Sequence, residues 1–195
     1  NIYLKDINKN TLASQLSYEE QVNLIKSVQF NVLHTSPSGD GIPMDHERRP
    51  KDLYESGQGL CFDRSFVMEL IFQHLGFETR HVCLFKDCPE KSTFIELTSE
   101  NTENHAISEI KTKKGWLIVD SNDEWVGIDD HNAPISMDKI SNSISNIAWK
   151  TKPPGYFYTN KNHYIYGLYS RHGRFYKPYD FIPDYNINEL LSNLN

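Results

Sequence analysis

A cysteine follows two glycines in the stretch GQGLCFDRS, residues 57–65, just before a run with the pattern of a helix. A thiol in the first turn of a helix lies near unpaired backbone N–H groups and the positive end of the helix dipole, which favour thiolate over thiol. With a histidine beside it, such a cysteine can have its pKa lowered from about 8.5 to between about 3.5 and 7.5. We therefore expect Cys61 to be a nucleophile.

A histidine and an aspartate further along the chain complete a set of groups suited to acyl transfer. His105 begins one strand-like run and Asp120 ends another. In this set Cys61 attacks a carbonyl carbon, His105 serves as base and then as acid, and Asp120 holds the imidazole in one tautomer. The backbone N–H of Cys61 and the side chain of Gln58 are the expected donors to the oxyanion. The residue types thus predict a catalytic triad that works through a thioester.

The nucleophile is positioned by a helix that the apolar spacing predicts over residues 62–75. Apolar side chains recur there at intervals of three and four, and Gly76 stands where a C-terminal cap belongs. The capping-box spacing of residues 17–20, with apolar positions after it, predicts an earlier helix. Residues 78–85 have the pattern of a mostly buried strand, in which Cys83 is a core residue.

Two strand-like runs, 105–110 and 116–120, flank a charged turn that ends in Gly115. This pattern predicts an antiparallel hairpin. In a symmetric hairpin Ile110 lies opposite Gly115 and His105 opposite Asp120, with directly opposed Cβ atoms about 4.5–5.5 Å apart. The alternation of side chains then places His105 and Asp120 on one face of the sheet, where the imidazole can bond the carboxylate.

The composition is that of an ordinary soluble globular protein, and we expect one domain over residues 1–195. A net charge of −6 argues against a nucleic-acid partner, which needs clustered basic residues. The longest apolar run falls far short of the ~20 residues of a membrane span. No motif indicates a metal or another cofactor, and nothing in the sequence sets the oligomeric state.

The three cysteines, Cys61, Cys83 and Cys88, are an odd number, so they cannot form a fully paired disulfide framework within the chain. Free thiols favour a reducing compartment such as the cytoplasm. Because the chain begins at Asn1 without a methionine, we expect an upstream segment to have been removed, and the compartment stays open.

The C-terminal part, residues 150–195, is rich in aromatic side chains. Tyr164 and Tyr166 alternate as in an additional strand, and a short helix over residues 187–194 is predicted to close the chain. Exposed tyrosines stack on sugars or peptides, whereas buried ones fill a core. Core filling is the favoured interpretation.

The blocks around the three chemical residues resemble those of the transglutaminase-like superfamily of papain-like cysteine enzymes. The resemblance is carried by residues 59–65 (GLCFDRS), 75–82 (LGFETRHV), 104–110 (NHAISEI) and 115–120 (GWLIVD). They follow the family's order within residues 55–121. The resemblance implies an α+β fold in which the helix that bears Cys61 packs on an antiparallel β-sheet that carries His105 and Asp120.

The resemblance also implies acyl transfer through a thioester, but it fixes neither donor nor acceptor. Hydrolysis of an amide or peptide bond is the leading hypothesis, with a peptide, a protein or an amide-bearing small molecule or glycan as substrate. One alternative is an amide-forming acyltransferase that modifies a glycan or a small molecule. The other is a catalytically inactive module that binds a partner. Ile107 and Ser108 stand where the family often has an aromatic, so we expect a different groove wall near His105.

Overall fold

The fold begins with helices where the sequence predicts them. A computed structural model of the protein describes residues 2–8, 11–43, 48–87, 103–169 and 184–194. Helix α1 spans Tyr18–Thr35, α2 Pro50–Ser56 and α3 Cys61–His74. The predicted capping box opens α1, because the Ser17 hydroxyl accepts from the Glu20 N–H and the Glu20 carboxylate accepts from the Ser17 N–H. Both long helices are therefore confirmed.

A four-stranded antiparallel sheet forms the centre of the molecule. Its strands are β1 (Thr79–Lys86), β2 (Asn104–Thr112), β3 (Gly115–Val119) and β4 (Asn162–Tyr166), in the spatial order β3-β2-β1-β4. Every neighbouring pair is antiparallel. Together with the helices, this sheet confirms the α+β class with a nucleophile-bearing helix packed on an antiparallel sheet.

Shorter elements complete the described chain. They are α4 (Met137–Ser143), α5 (Tyr156–Thr159), β5 (Leu168–Tyr169), β6 (Asp184–Tyr185), α6 (Ile187–Leu190) and single turns of 3₁₀ helix at Ala13–Gln15, Ile144–Asn146 and Leu191–Leu194. The predicted strand at Tyr164 and Tyr166 is β4, and the predicted C-terminal helix is α6 with the turn that follows it. Both predictions are confirmed.

The two faces of the sheet bury two different sets of side chains, because successive strand residues point to opposite faces. Helices α1 and α3 cover the face that carries Ile110, Leu117 and Val119. The chain beyond β3, including α4 and α5, covers the face that carries Ile107 and Ile118. The sheet is thus the middle layer of three.

The hairpin of β2 and β3 has a register that differs from the symmetric prediction by two residues. Ile110 lies opposite Leu117 and Thr112 opposite Gly115, so the turn contains only two residues. The predicted pairs Ile110 with Gly115 and His105 with Asp120 are therefore wrong. Strand pairing continues further toward the turn than the apolar pattern suggested, because Thr112 pairs with Gly115. The Thr112 hydroxyl also donates to the Gly115 carbonyl oxygen at 2.7 Å. A shift of an even number of residues leaves each side chain on its predicted face.

The described aromatic residues of the C-terminal part fill a core, in agreement with the interpretation favoured from the sequence. Phe157, Tyr158 and Tyr166 are buried, and Tyr156 and Tyr164 pack partly buried against the same cluster. Cys83 is buried, as predicted for a strand-core residue. The predictions for Cys88 and for the aromatic residues between 170 and 183 lie outside the described residues.

Among the described residues, no helix is both long and apolar enough to span a bilayer.

Candidate active site

Two glycines shape the backbone that leads to Cys61. Gly57 ends α2 in the left-handed conformation, at φ 67°, which a residue with a side chain rarely adopts. Gly59 exchanges backbone hydrogen bonds with the segment at residues 37–39. A Cβ on Gly59 would lie 2.6 Å from the Leu53 Cδ1 atom, so a larger residue would force the buried Leu53 side chain to move. The glycines thus allow the backbone before Cys61 to pass close to α2 and to the segment at residues 37–39.

The first turn of α3 is capped by Asp63 rather than by the residue before the helix. Leu60 occupies the N-cap position and has no polar side chain, but its N–H donates to the Asp63 Oδ2 atom at 3.0 Å. The Ile42 N–H donates to the same oxygen at 3.1 Å. Asp63 therefore joins the helix start to the preceding loop and leaves Cys61 as the first helical residue.

The Cys61 sulfur lies among groups that stabilise its ionised form. Burial alone would raise the pKa of this thiol, but the hydrogen bond and the charge of His105 outweigh it. The backbone N–H groups of Ala106 and Phe62 add to the effect, and the pKa of Cys61 falls below its usual value. Cys61 as a whole residue is half-buried. These properties are those of an activated thiolate.

His105 connects the sulfur to Asp120. Its Nε2 atom lies 3.0 Å from the Asp120 Oδ2 atom, so the hydrogen bond with Cys61 falls to Nδ1. Burial favours the neutral imidazole, but the hydrogen bond and charge of Asp120, followed by those of Cys61, raise the pKa of His105 to about 10. The structure therefore brings the three sequence-predicted residues into one continuous contact. Asp120 reaches His105 diagonally across the hairpin, since the observed register does not place the two directly opposite.

The Asp120 carboxylate accepts four hydrogen bonds. Its Oδ1 atom accepts the N–H groups of Asn122 and Asp123 at 2.6 and 2.8 Å, and its Oδ2 atom accepts from His105 and from the Tyr158 hydroxyl. Burial would raise the pKa of Asp120, but His105, Tyr158 and the Asp123 N–H outweigh it and hold that pKa below its usual range. Asp120 is thus an anion held in place from several directions.

The C-terminal part contributes side chains to the site that the sequence analysis missed. Tyr158 donates to Asp120, and the Phe157 ring stacks near the His105 imidazole with centroids 5.9 Å apart. Both residues lie in α5, which was interpreted only as part of an aromatic-rich core. The run of three aromatics at residues 156–158 was visible, but nothing in its spacing indicates a contact with residues 105 and 120.

Helix α1 fixes the turn that carries Asp120. The Gln29 side chain is buried, and its Nε2 atom donates to the backbone carbonyl oxygens of Asp120 and Trp125, each at 2.8 Å. A buried carbonyl oxygen without a donor is costly, so Gln29 stabilises this turn against the helix. The sequence analysis predicted the helix but not this contact.

Gln58, the predicted side-chain donor to an oxyanion, packs against the loop at Gly39. A Cβ built on Gly39 would lie 2.2 Å from the Gln58 Oε1 atom, so the amide lies over that glycine. Its role as an oxyanion donor stays a prediction.

A cavity of about 290 Å³ borders the contact between His105 and Asp120. Its wall combines polar groups, Asn122 and Asp123 among them, with the rings of Tyr156 and Phe157. A second cavity of about 430 Å³ is also lined by Asn122 and Asp123, together with Leu33 and His34 near the end of α1. Among the described residues, no three His, Cys, Asp or Glu side chains are arranged to hold a metal ion.

Comparison with known proteins gave a match to one family. The model described as the transglutaminase-like superfamily matches residues 8–121, more than half of the chain. The match ends where the sequence resemblance ended, but it begins well before residue 55 and includes α1. No curated protein and no solved structure matched the chain.

Proposed function

The chain belongs to the transglutaminase-like superfamily, and we propose that it is a cysteine-dependent enzyme that cleaves an amide or peptide bond through a thioester. The observation that carries the proposal is the continuous contact from Cys61 through His105 to Asp120. The superfamily is in general enzymatic, with cysteine proteases and acyltransferases among its reactions. Cys61, His105 and Asp120 are the proposed catalytic triad.

The proposed reaction begins from a thiolate and an imidazolium. The Cys61 sulfur attacks the carbonyl carbon and forms a carbon–sulfur bond, and the carbonyl π electrons move to the oxygen. The oxyanion then re-forms the carbonyl and the carbon–nitrogen bond breaks, as His105 gives its proton to the leaving amine and the thioester remains on Cys61. In the second half, His105 takes a proton from water, whose oxygen attacks the thioester and releases the acid and the thiolate. Asp120 stays ionised and orients the imidazole throughout.

Water is the default acceptor because the cavity beside His105 is open and partly polar. Asn122 and Asp123 supply polar groups to the wall of this cavity, which His105 also lines. The Tyr156 and Phe157 rings on the same wall favour a second candidate, amide formation onto a glycan or a small molecule that carries an amine. Product analysis with and without added amines separates the two. Absence of any amine-containing product with every donor tested would remove the second candidate.

The first test is the effect of Cys61→Ala on turnover. We expect loss of activity, because the variant has no atom that can form the thioester. Cys83→Ala is the matched control, since this buried thiol donates to the Leu168 carbonyl oxygen inside the core and has no proposed role. Undiminished turnover by Cys61→Ala would refute the proposal. Mass spectrometry of an adduct trapped on Cys61 from native lysate would identify the acyl group.

Alkylation by iodoacetamide at neutral pH separates an enzyme from an inactive binding module. We expect Cys61 to react faster than Cys83, because a thiolate reacts faster than a thiol and Cys61 is the more exposed of the two. Peptide mapping identifies the labelled residue. Slow and equal labelling of both cysteines would support the binding module instead.

A pH–rate profile tests the proposed ion pair. We expect a bell shape, with the rate rising at a pH below the usual pKa of a thiol and falling as His105 loses its proton at about pH 10. A profile that rises only near the usual thiol pKa of about 8.5 would contradict the ion pair.

A further inference from the structure

Arg64 is a buried cation that links α3 to the turn carrying Asp120. It follows Cys61 by three residues, which places the two on one side of the helix. Its side chain is only 2% exposed, and its Nη2 group donates to the Asn122 Oδ1 atom. The Asn122 N–H in turn donates to the Asp120 Oδ1 atom at 2.6 Å. One chain of contacts therefore runs from the nucleophile helix to the carboxylate.

The charges around Arg64 are mostly negative. Burial lowers the pKa of its guanidinium, while the Cys61 sulfur and the carboxylates of Asp120, Asp63 and Asp123 act in the opposite direction. When Cys61 is ionised, His105 is the positive charge that hydrogen-bonds both the sulfur and the Asp120 carboxylate. Loss of Arg64 would leave a thiolate and several carboxylates sharing one imidazolium, an arrangement that disfavours ionisation of the sulfur.

The surroundings of Arg64 favour an internal role over the binding of an anionic ligand. Arg64 borders the cavity of about 430 Å³, but Asp123 and Glu124 line the same cavity, and Glu124 pairs with His34. The Arg64 Nε atom is sealed from solvent and, within the described part of the chain, has no hydrogen-bond partner. A buried unpaired donor costs stability, and an apolar side chain of similar size would avoid that cost. The arginine is therefore better explained by its charge than by its packing.

We propose that Arg64 is a positioning residue of the candidate active site, which joins α3 to the 120–123 turn and keeps a positive charge beside the Cys61 sulfur. This inference rests on the proposed function, because it assumes that Cys61 reacts as a thiolate.

The test compares Arg64→Met with Arg64→Lys in the full chain, using the rate of Cys61 alkylation by iodoacetamide between about pH 5 and pH 10. For Arg64→Met we expect the midpoint of the rate–pH curve to move upward. At a pH well below the midpoint, each pH unit of this shift lowers the alkylation rate by about tenfold. The plateau of the alkylation rate at high pH stays unchanged. Arg64→Lys keeps the charge and should return the midpoint toward the wild-type value. Where Arg64→Met does not fold, Arg64→Gln removes the charge and keeps a donor for Asn122.

Arg80→Met is the matched control for the loss of a buried arginine. Arg80 is 6% exposed and pairs with Glu109 and Asp138, so this variant should lose stability but keep the alkylation midpoint. A wild-type midpoint in a folded Arg64→Met or Arg64→Gln protein would overturn the role of Arg64 alone. A wild-type protein whose own midpoint lies near that of a free thiol, about 8.5, would instead overturn the proposed function.

Discussion

At the scale of single residues, the Tyr158 hydroxyl and the His105 imidazole share one oxygen of Asp120. A donor to a carboxylate withdraws part of its negative charge and weakens its attraction for a second donor. Tyr158 therefore limits how strongly Asp120 holds the proton on His105. The pKa of the Tyr158 hydroxyl is raised by burial and by the Asp120 charge, so it acts as a donor at every pH considered for the reaction.

We predict that Tyr158→Phe raises the upper pKa of the pH–rate profile. Without the hydroxyl, Asp120 holds the imidazolium more tightly, and His105 gives its proton less readily to the leaving amine. The expected fall in kcat is about tenfold, a part of the ~10²–10⁴ that general acid–base catalysis contributes. Tyr164→Phe is the control, because it removes a hydrogen bond of 2.9 Å to Asp138 rather than to Asp120. An unchanged upper pKa in Tyr158→Phe would contradict the prediction.

At the scale of elements, α1 determines the position of the turn after β3. Gln29 is the buried residue on α1 that donates to the carbonyl oxygens of this turn. The sequence match to the superfamily includes α1, so this helix belongs to the shared core rather than to an addition.

We predict that Gln29→Met lowers both the free energy of unfolding and the turnover of the folded protein. The loss of stability should be about 1–3 kcal/mol, the cost of a buried polar group left without its partner. Turnover falls because the turn that carries Asp120 moves. Denaturant titration gives the stability, and kcat measured on folded protein gives the activity.

Gln21→Met is the matched control on the same helix. Gln21 is also buried, but it bonds the Ala13 carbonyl oxygen and the Lys113 N–H, away from the candidate site. We expect a similar loss of stability with turnover per folded molecule unchanged. Equal losses of turnover in both variants would show that Gln29 acts only through stability.

The sequence predicted elements better than it predicted the contacts between them. Apolar periodicity and a capping box were enough for α1 and α3, since burial of one helix face imposes a local pattern. The hairpin register was two residues off, yet His105 and Asp120 still meet, because only an odd shift changes the face. The contacts of Gln29, Arg64 and Tyr158 join residues far apart in the chain. A single polar side chain leaves no periodic signal, so nothing local indicates such contacts.

At the scale of the whole molecule, two buried histidines make stability depend on pH. His81 lies fully buried in the sheet, with its Nδ1 atom 2.8 Å from the Glu69 Oε1 atom. Burial would lower its pKa, but the charge of Glu69 outweighs burial and raises the pKa to about 10, the same value as for His105. The pKa of an unfolded histidine is about 6.5. Since both folded values lie above it, their stabilisation is complete below about pH 6.5 and is lost as the pH rises through about 10.

We predict that the free energy of unfolding falls between neutral pH and pH 10. Cys61 acts with the opposite sign, because a lowered thiol pKa adds stability as the pH rises from the folded value toward the unfolded value of about 8.5, above which the gain is complete. Comparison with His81→Gln isolates the contribution of His81 to this pH dependence. The variant should show a smaller fall in the free energy of unfolding. Equal slopes in the wild-type protein and in His81→Gln would contradict the prediction.

Residues that match the superfamily pack against residues that come later in the chain. The superfamily match ends at residue 121, but the second face of the sheet packs against Trp125, Met137 and Tyr158, which come later in the chain. These contacts favour the prediction of one domain over residues 1–195, which stays a prediction.

The contacts of α5 have a consequence for the order in which the molecule is made. A ribosome delivers Cys61, His105 and Asp120 well before Phe157 and Tyr158. Until those rings arrive, the imidazole lacks its stacked neighbour and the carboxylate lacks one of its donors. A nascent chain would thus hold Cys61 without these two neighbours, and full reactivity would develop only after residues 157 and 158 have been synthesised.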